Sequence, residues 1–224
     1  MLAVATFLMT STPACDRNRA GTPRSEGEIQ MEQTRLDEAS AKASEGDYGD
    51  ALEIFHAILE DNPTSGEAYL GIGDIYLDQK DYVKAEPALA RAAKLEPRSY
   101  QAQFQHGLAL QMLDRFLEAV QAYHRALTID PDNAQANRNL ATSYLQMDEP
   151  RNAMPFANRA IQLDPSAGDA WVTLGATYEG VQDWSEAAKA YISASERMDA
   201  TPELMQNLLR VLIELKRYRE VISR

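Results

Sequence analysis

The sequence predicts an all-α protein, an array of antiparallel helix pairs stacked one on the next. Two observations carry this prediction: a proline that returns every 34 residues, and columns of small residues that return with the same period. Pro63, Pro97, Pro131 and Pro165 are the spaced prolines, in the contexts Asp61-Asn62-Pro63, Leu95-Glu96-Pro97, Ile129-Asp130-Pro131 and Leu163-Asp164-Pro165. With proline placed at position 32, units open at Glu32, Gly66, Tyr100, Ala134 and Gly168. They divide 32–201 into 32–65, 66–99, 100–133, 134–167 and 168–201. One such unit cannot bury its apolar face alone, so stability must come from its neighbours.

A first helix is expected at the start of each unit, because larger residues recur at positions 4, 7 and 11, as Tyr69, Ile72 and Tyr76 do in the second unit. Breaker residues such as Gly46-Asp47 and Lys80-Asp81 then mark a turn. In the second helix, position 24 (Leu89 in the second unit) fills the space between the pair. Position 8 holds Ala39, Gly73, Gly107, Ala141 and Gly175, and position 20 holds Ala51, Ala85, Ala119, Ala153 and Ala187. Position 27 holds Ile58, Ala92, Ala126, Ala160 and Ala194. Helices approach closely only where such small side chains face each other. Position 17 is aromatic in Tyr48, Tyr82, Phe116 and Trp184, with Pro150 as the exception. Pro87 and Pro155 share position 22 and are expected among the first-turn donors that lack partners anyway. Each position-32 proline sets the next turn by pushing the residue before it out of the α region. Residues 202–224 are expected to form an incomplete sixth unit or capping helix. Pro202 and Glu203 open it, Leu208, Leu209, Leu212 and Leu215 make its apolar stripe, and Lys216-Arg217-Tyr218-Arg219 repeats the inter-helix turn.

These columns resemble the tetratricopeptide repeat, a 34-residue helix–turn–helix unit. The fullest match is the fifth unit, through Trp171, Leu174, Gly175, Tyr178, Ala187, Tyr191 and Ala194. The resemblance implies a right-handed superhelix, an α-solenoid of eleven to twelve helices, that binds protein or peptide. It also implies that positions 2, 5, 9, 12 and 13 of each first helix face a concave groove. On this chain those positions hold Glu67, Leu70, Asp74, Leu77 and Asp78, then Gln101, Phe104, Leu108, Gln111 and Met112. Arg138, Thr142 and Leu145 follow in the fourth unit, and Asp169, Val172 and Glu179 in the fifth. The expected groove is apolar in its middle, centred on Phe104 and Leu108, and acidic towards both ends. Its partner would carry an apolar anchor with a basic flank. The carboxylate clamp of some repeat co-chaperones is not expected, because Phe104, Leu108, Asp169 and Thr173 stand where its Lys, Arg and Asn residues belong.

Composition narrows the function further. Against 22 Lys and Arg stand 34 Asp and Glu, a net charge of -12, which disfavours a nucleic-acid role. Cys15 is the single cysteine, so neither an intrachain disulfide nor a multi-cysteine zinc site is available. His56 and His124 occupy the same column two repeats apart, about 20 Å from each other, too far to share a metal. His106 takes a packing column. No His-Glu-x-x-His sequence and no nucleophile–base pair occurs, so neither catalysis nor a cofactor or metal is expected.

Residues 1–14 differ from the rest. Leu2–Met9 is uncharged and apolar, small residues follow, and Cys15 then leads a polar stretch over 15–31. This resembles a bacterial lipoprotein signal, which implies lipidation of Cys15 and removal of 1–14. Acyl chains, at about 0.8 kcal/mol per buried CH₂, would then hold a polar tether on the membrane. The expected function is a non-catalytic scaffold of the cell envelope that assists assembly of a multiprotein complex of the pilus, secretion or outer-membrane type. A cytosolic adaptor, or a regulatory subunit of a larger enzyme system, is the alternative.

Overall fold

The computed structural model describes residues 24–222, and Cys15 with the segment before it lies outside them. Among the described residues there are eleven α-helices and no strand. They are α1 (Glu26–Glu45), α2 (Tyr48–Asp61), α3 (Gly66–Asp78), α4 (Tyr82–Leu95), α5 (Tyr100–Met112), α6 (Phe116–Ile129), α7 (Ala134–Gln146), α8 (Pro150–Leu163), α9 (Gly168–Gly180), α10 (Trp184–Ser195) and α11 (Pro202–Ile222). Each helix packs on the next in chain order, and the odd-numbered helices α1 to α9 also touch one another in succession. The result is a right-handed α-solenoid whose odd-numbered helices line one side.

The period reappears in the backbone. Position 15 lies in the left-handed region in every unit: Gly46 at φ 87°, Lys80 at 58°, Asp114 at 56°, Asp148 at 57° and Gln182 at 62°. Only the first of these is glycine, and a side chain costs about 1–2 kcal/mol there. Lys80→Gly is therefore expected to stabilise the array by about 0.5–1 kcal/mol, after allowing for the greater freedom of glycine in the unfolded chain. Urea titration of the variant should show a higher midpoint, and a lower one would mean that Lys80 does not carry this strain.

Packing follows the small-residue columns. Ala51, Ala85, Ala119, Ala153 and Ala187 are all fully buried, as are Ala92, Ala126, Ala160 and Ala194. At position 8 of the second, third and fifth units the partner side chain leaves room only for glycine. A Cβ on Gly73 would stand 2.4 Å from the Leu89 side chain, on Gly107 2.8 Å from the Tyr123 ring, and on Gly175 2.7 Å from the Tyr191 ring. The proline turn has a further tie: Asn137 Nδ2 donates to the carbonyl of Pro131 (3.2 Å) and Trp171 Nε1 to that of Pro165 (2.9 Å). Both donors stand at position 4, so a first helix is fastened to the turn that precedes it.

Three expectations need correction. Helix α1 begins at Glu26, inside the stretch read as tether, because Ser25 and Glu28 form a capping box that starts the helix early. Helix α11 runs unbroken through Lys216 to Ile222, without the inter-helix turn expected there. Every other unit has an aspartate at position 15 or 16 of its turn, whereas Lys216 and Arg217 are good helix formers and let the helix continue. Pro87 and Pro155 fall on the sixth residue of α4 and α8, past the unpaired first turn, so each removes a backbone hydrogen bond. The carbonyls they leave belong to Val83 and Arg151, both exposed residues, and that limits the cost.

Candidate functional site

The side lined by the odd-numbered helices is bound together by contacts between adjacent units. Gln101 Nε2 donates to Asp74 Oδ2 (3.2 Å), Arg138 Nη1 to Asp169 Oδ2 (2.9 Å), and Arg210 Nη2 to Glu179 Oε2 (3.0 Å). These partners stand at positions 2, 5, 9 and 12 of neighbouring first helices, so those positions share one face. In its middle lies a polar knot. The Tyr123 hydroxyl donates to Gln111 Oε1 (2.8 Å) and accepts from Asn139 Nδ2 (3.4 Å), while Ser143 Oγ reaches the same Gln111 oxygen at 3.5 Å. Tyr123 belongs to the second helix of its unit. It reaches this face because Gly107 leaves room for its ring. The sequence signal was there, a tyrosine at position 24 opposite a glycine, but it read only as packing.

Phe104 is not the exposed anchor that its position implies. Only 9% exposed, it stacks on Tyr100 (ring centroids 5.6 Å apart) and meets the Tyr123 ring at 5.8 Å, in a cluster with Leu110, Ala119 and Leu140. It is part of the core, and further along α5 the apolar side chains less covered are Leu108, half-buried, and Met112, 45% exposed. Leu70, Leu77, Leu145 and Val172 are half-buried, as are Arg138 and Thr142. Among these, Leu70 and Leu77 pack on Ala85, Leu89 and Ala109.

The charge pattern also differs from expectation. The carboxylates at the far end are occupied, Asp169 by Arg138, and Glu179 by Arg210 and the Tyr191 hydroxyl (3.0 Å). Acidity is therefore concentrated at the α3 end. Glu67 and Asp78 are exposed there and make no ion pair among the described residues, and Asp74 lies between them on the same helix. Burial pushes the Asp74 carboxyl up to about 6, against the hydrogen bond from Gln101, and the charge of Asp78 adds to the rise. One of its oxygens, Oδ1, is buried without a hydrogen-bond partner.

A carboxyl whose folded pKa lies above its unfolded value stabilises the fold at acid pH and loses that contribution as pH rises through the folded pKa. For Asp74 the window runs from about 4 to about 6. Asp74→Asn keeps the acceptor for Gln101 and removes the buried charge. It is expected to stabilise the array by about 1–2 kcal/mol at pH 7.5 and to change little at pH 4. Thermal midpoints of both proteins across that range check it; a difference independent of pH would exclude titration as the cause.

Burial holds His106 below its usual pKa, with neither ring nitrogen hydrogen-bonded and the Glu86 carboxylate 3.7 Å away. His124 contacts the Tyr144 hydroxyl at 2.9 Å. No group of three or more His, Cys, Asp or Glu among the described residues is arranged to hold a metal. No helix among them is long and apolar enough to cross a membrane.

A 34-residue helix–turn–helix unit, stacked with glycine and alanine at its contact columns, defines a class of repeat scaffold. The chain belongs to the tetratricopeptide repeat family, whose sequence profiles match residues 42–109, 115–148 and 134–166. Its fold is that of a protein-interaction scaffold. No curated protein matches the sequence. Among solved structures it is similar to MamA, at 27% identity over 71% of this chain and 93% of that one, with a TM-score of 0.67. It shares its fold with YrrB, a protein with an unusual peptide-binding site, at 17% identity over 81% and 97% and a TM-score of 0.71. It shares it also with PilW, a type IV pilus biogenesis factor, at 19% identity over 84% and 87% and a TM-score of 0.70.

Proposed function

We propose that the protein is a non-catalytic scaffold of the bacterial envelope, tethered through lipid on Cys15, that grips a protein segment in its concave groove during assembly of a larger complex. The partner sets an apolar side chain over Leu108 and Met112 and places basic residues beside Glu67, Asp74 and Asp78. The observation that carries this reading is the juxtaposition on α3 and α5 of exposed, unpaired carboxylates with an exposed apolar side chain. Among the groove residues of the second to fifth units, Asp169 and Glu179 are paired and Leu70, Leu77, Leu145 and Val172 are half-buried, whereas Asp78 is unpaired among the described residues and Met112 exposed. Support for the envelope comes from the apolar, small-residue, cysteine order at 1–15. The likeness to PilW is one of fold, and the pilus, secretion or outer-membrane setting is part of the proposal.

Two measurements test it. Intact mass of protein purified from membranes should show residues 1–14 gone and Cys15 acylated; an unprocessed chain in the soluble fraction would make it a cytosolic adaptor. In pull-downs from envelope extract, Met112→Glu should reduce recovery of the partner at least tenfold, because apolar anchors carry most of the binding energy. Asp78→Lys should slow association and weaken its salt dependence. Equal recovery by a folded Met112→Glu protein would move the binding site off this face.

A further inference from the structure

The C-terminal helix presents a surface of the opposite character to the groove. On α11 one face packs inward through Leu204 and Val211, with Leu208 beside them. The other face leaves Met205 39%, Leu209 60%, Leu212 44% and Ile213 44% exposed. In the repeat register Met205, Leu209 and Leu212 stand at positions 4, 8 and 11, the columns that the second helix of the same unit covers in units two to five. Here α11 runs straight on through Ile222, so residues 213–222 do not turn back over them. Position 8 is glycine or alanine in every other unit, and Leu209 prevents the close approach those residues allow. The face is therefore an open apolar surface of different shape.

Its charge is also distinct. Of the five basic residues in 202–224 Arg210 is taken by Glu179, and the other four, Lys216, Arg217, Arg219 and Arg224, fall towards the end of a chain that carries -12 overall. Lys216, exposed, lies at the end of the Met205–Leu209–Leu212 stripe. An apolar helix with a basic end is the chemistry that the α3–α5 stretch lacks, with its exposed Met112 and unpaired Glu67 and Asp78. At 21 residues α11 is about 30 Å long, enough to lie along several first helices of a groove.

We infer that α11 of one copy seats in the concave groove of a second copy, its leucines over Leu108 and Met112 and its basic end beside Asp78. This rests on the groove reading above and adds an occupant to it. The contact joins two different surfaces, so each bound copy offers a further groove and a further helix. Assembly consequently proceeds to rings or open chains instead of stopping at a two-fold dimer. It also sets the helix in competition with any other partner, so that self-association would hold the groove closed until a stronger ligand displaced it.

Sedimentation velocity on the full 224-residue chain is the test, from about 1 to 200 μM, a range chosen because a single helix in a groove buries a small interface. The average mass should rise with concentration beyond twice 24.9 kDa in low salt and fall back in high salt. Leu209→Glu and Met112→Glu, both changes at exposed side chains, should each leave a monomer. An equimolar mixture of the two should form a species of two chains and no larger, because one protein keeps its groove and the other its helix. Lys216→Glu should weaken assembly, and adding Asp78→Lys should restore it. A wild type that stays monomeric at 200 μM would overturn the inference and leave the groove free for other proteins. A dimer lost in Leu209→Glu but untouched by Met112→Glu would also overturn it, since two α11 helices would then be packing on each other. Retention of an extract partner by Met112→Glu is a separate result and bears only on the groove reading.

Discussion

Phe104→Ala is expected to destabilise the array by about 3 kcal/mol, the lower part of the range for a buried Phe→Ala change. The ring is sandwiched between Tyr100 and Tyr123, and its removal leaves a cavity bordered by Ala119, Leu110 and Leu140 that short helices on a glycine-set spacing cannot close. Tyr123 would also lose the neighbour that steadies its ring, and its hydroxyl holds Gln111 and Asn139 across two units. The loss should thus spread to the interface between the third and fourth units. Phe104→Leu, which keeps most of the volume, should cost less than half as much. Urea unfolding of both variants checks the order. Near-equal midpoints for Phe104→Ala and wild type would mean that the ring is not part of the core. The result matters for function, because any partner lost by Phe104→Ala would be lost through folding as well as contact. Met112, exposed two turns further along α5, is the cleaner probe.

Ala119→Leu is the second large effect, expected at about 1–3 kcal/mol of destabilisation through overpacking. Ala119 is fully buried at position 20 of α6, in one cluster with Phe104, Val120 and Tyr123. Accommodating it means separating α5 from α6, and Gly107 shows how little room exists: even a methyl group there would come within 2.8 Å of the Tyr123 ring. Gln121→Leu on the same helix is the control, since Gln121 is exposed and the same residue is introduced. It should shift the thermal midpoint little, whereas Ala119→Leu should lower it by several degrees. Equal shifts would mean that leucine itself, and not its place at the helix contact, is responsible.

The functional consequence of these packing rules lies in what they leave exposed. Positions that touch the opposite helix of the same unit are small or buried, so recognition is confined to the remaining faces of the first helices and to the last helix. On those faces intramolecular pairing removes most charges from availability: Arg138 takes Asp169, and Arg210 takes Glu179. What stays available in the groove of the second and third units is the acidic stretch on α3 and the exposed Met112 on α5, and on the last helix the exposed apolar face of α11.

The sequence alone determined the helix pairs, their period and their register, because each depends on local backbone chemistry and residue size. A 34-residue proline, alanine without exception at position 20, and glycine or alanine at position 8 admit one way of stacking. It did not determine which groove residues remain free. Phe104 occupies a groove position by register, yet it is buried because Tyr100 and Tyr123 lie on either side of it. Asp169 and Glu179 read as groove acids until the superhelix brings Arg138 and Arg210 from neighbouring units beside them. Whether a helix continues through Lys216 was in principle legible in the missing aspartate of that turn. Whether the face it leaves bare finds a cover was not. Register is a one-dimensional property, carried by residues a fixed number of bonds apart. Exposure and charge pairing depend on side chains about 30 residues apart in sequence, and only the packing of successive units decides which of them meet.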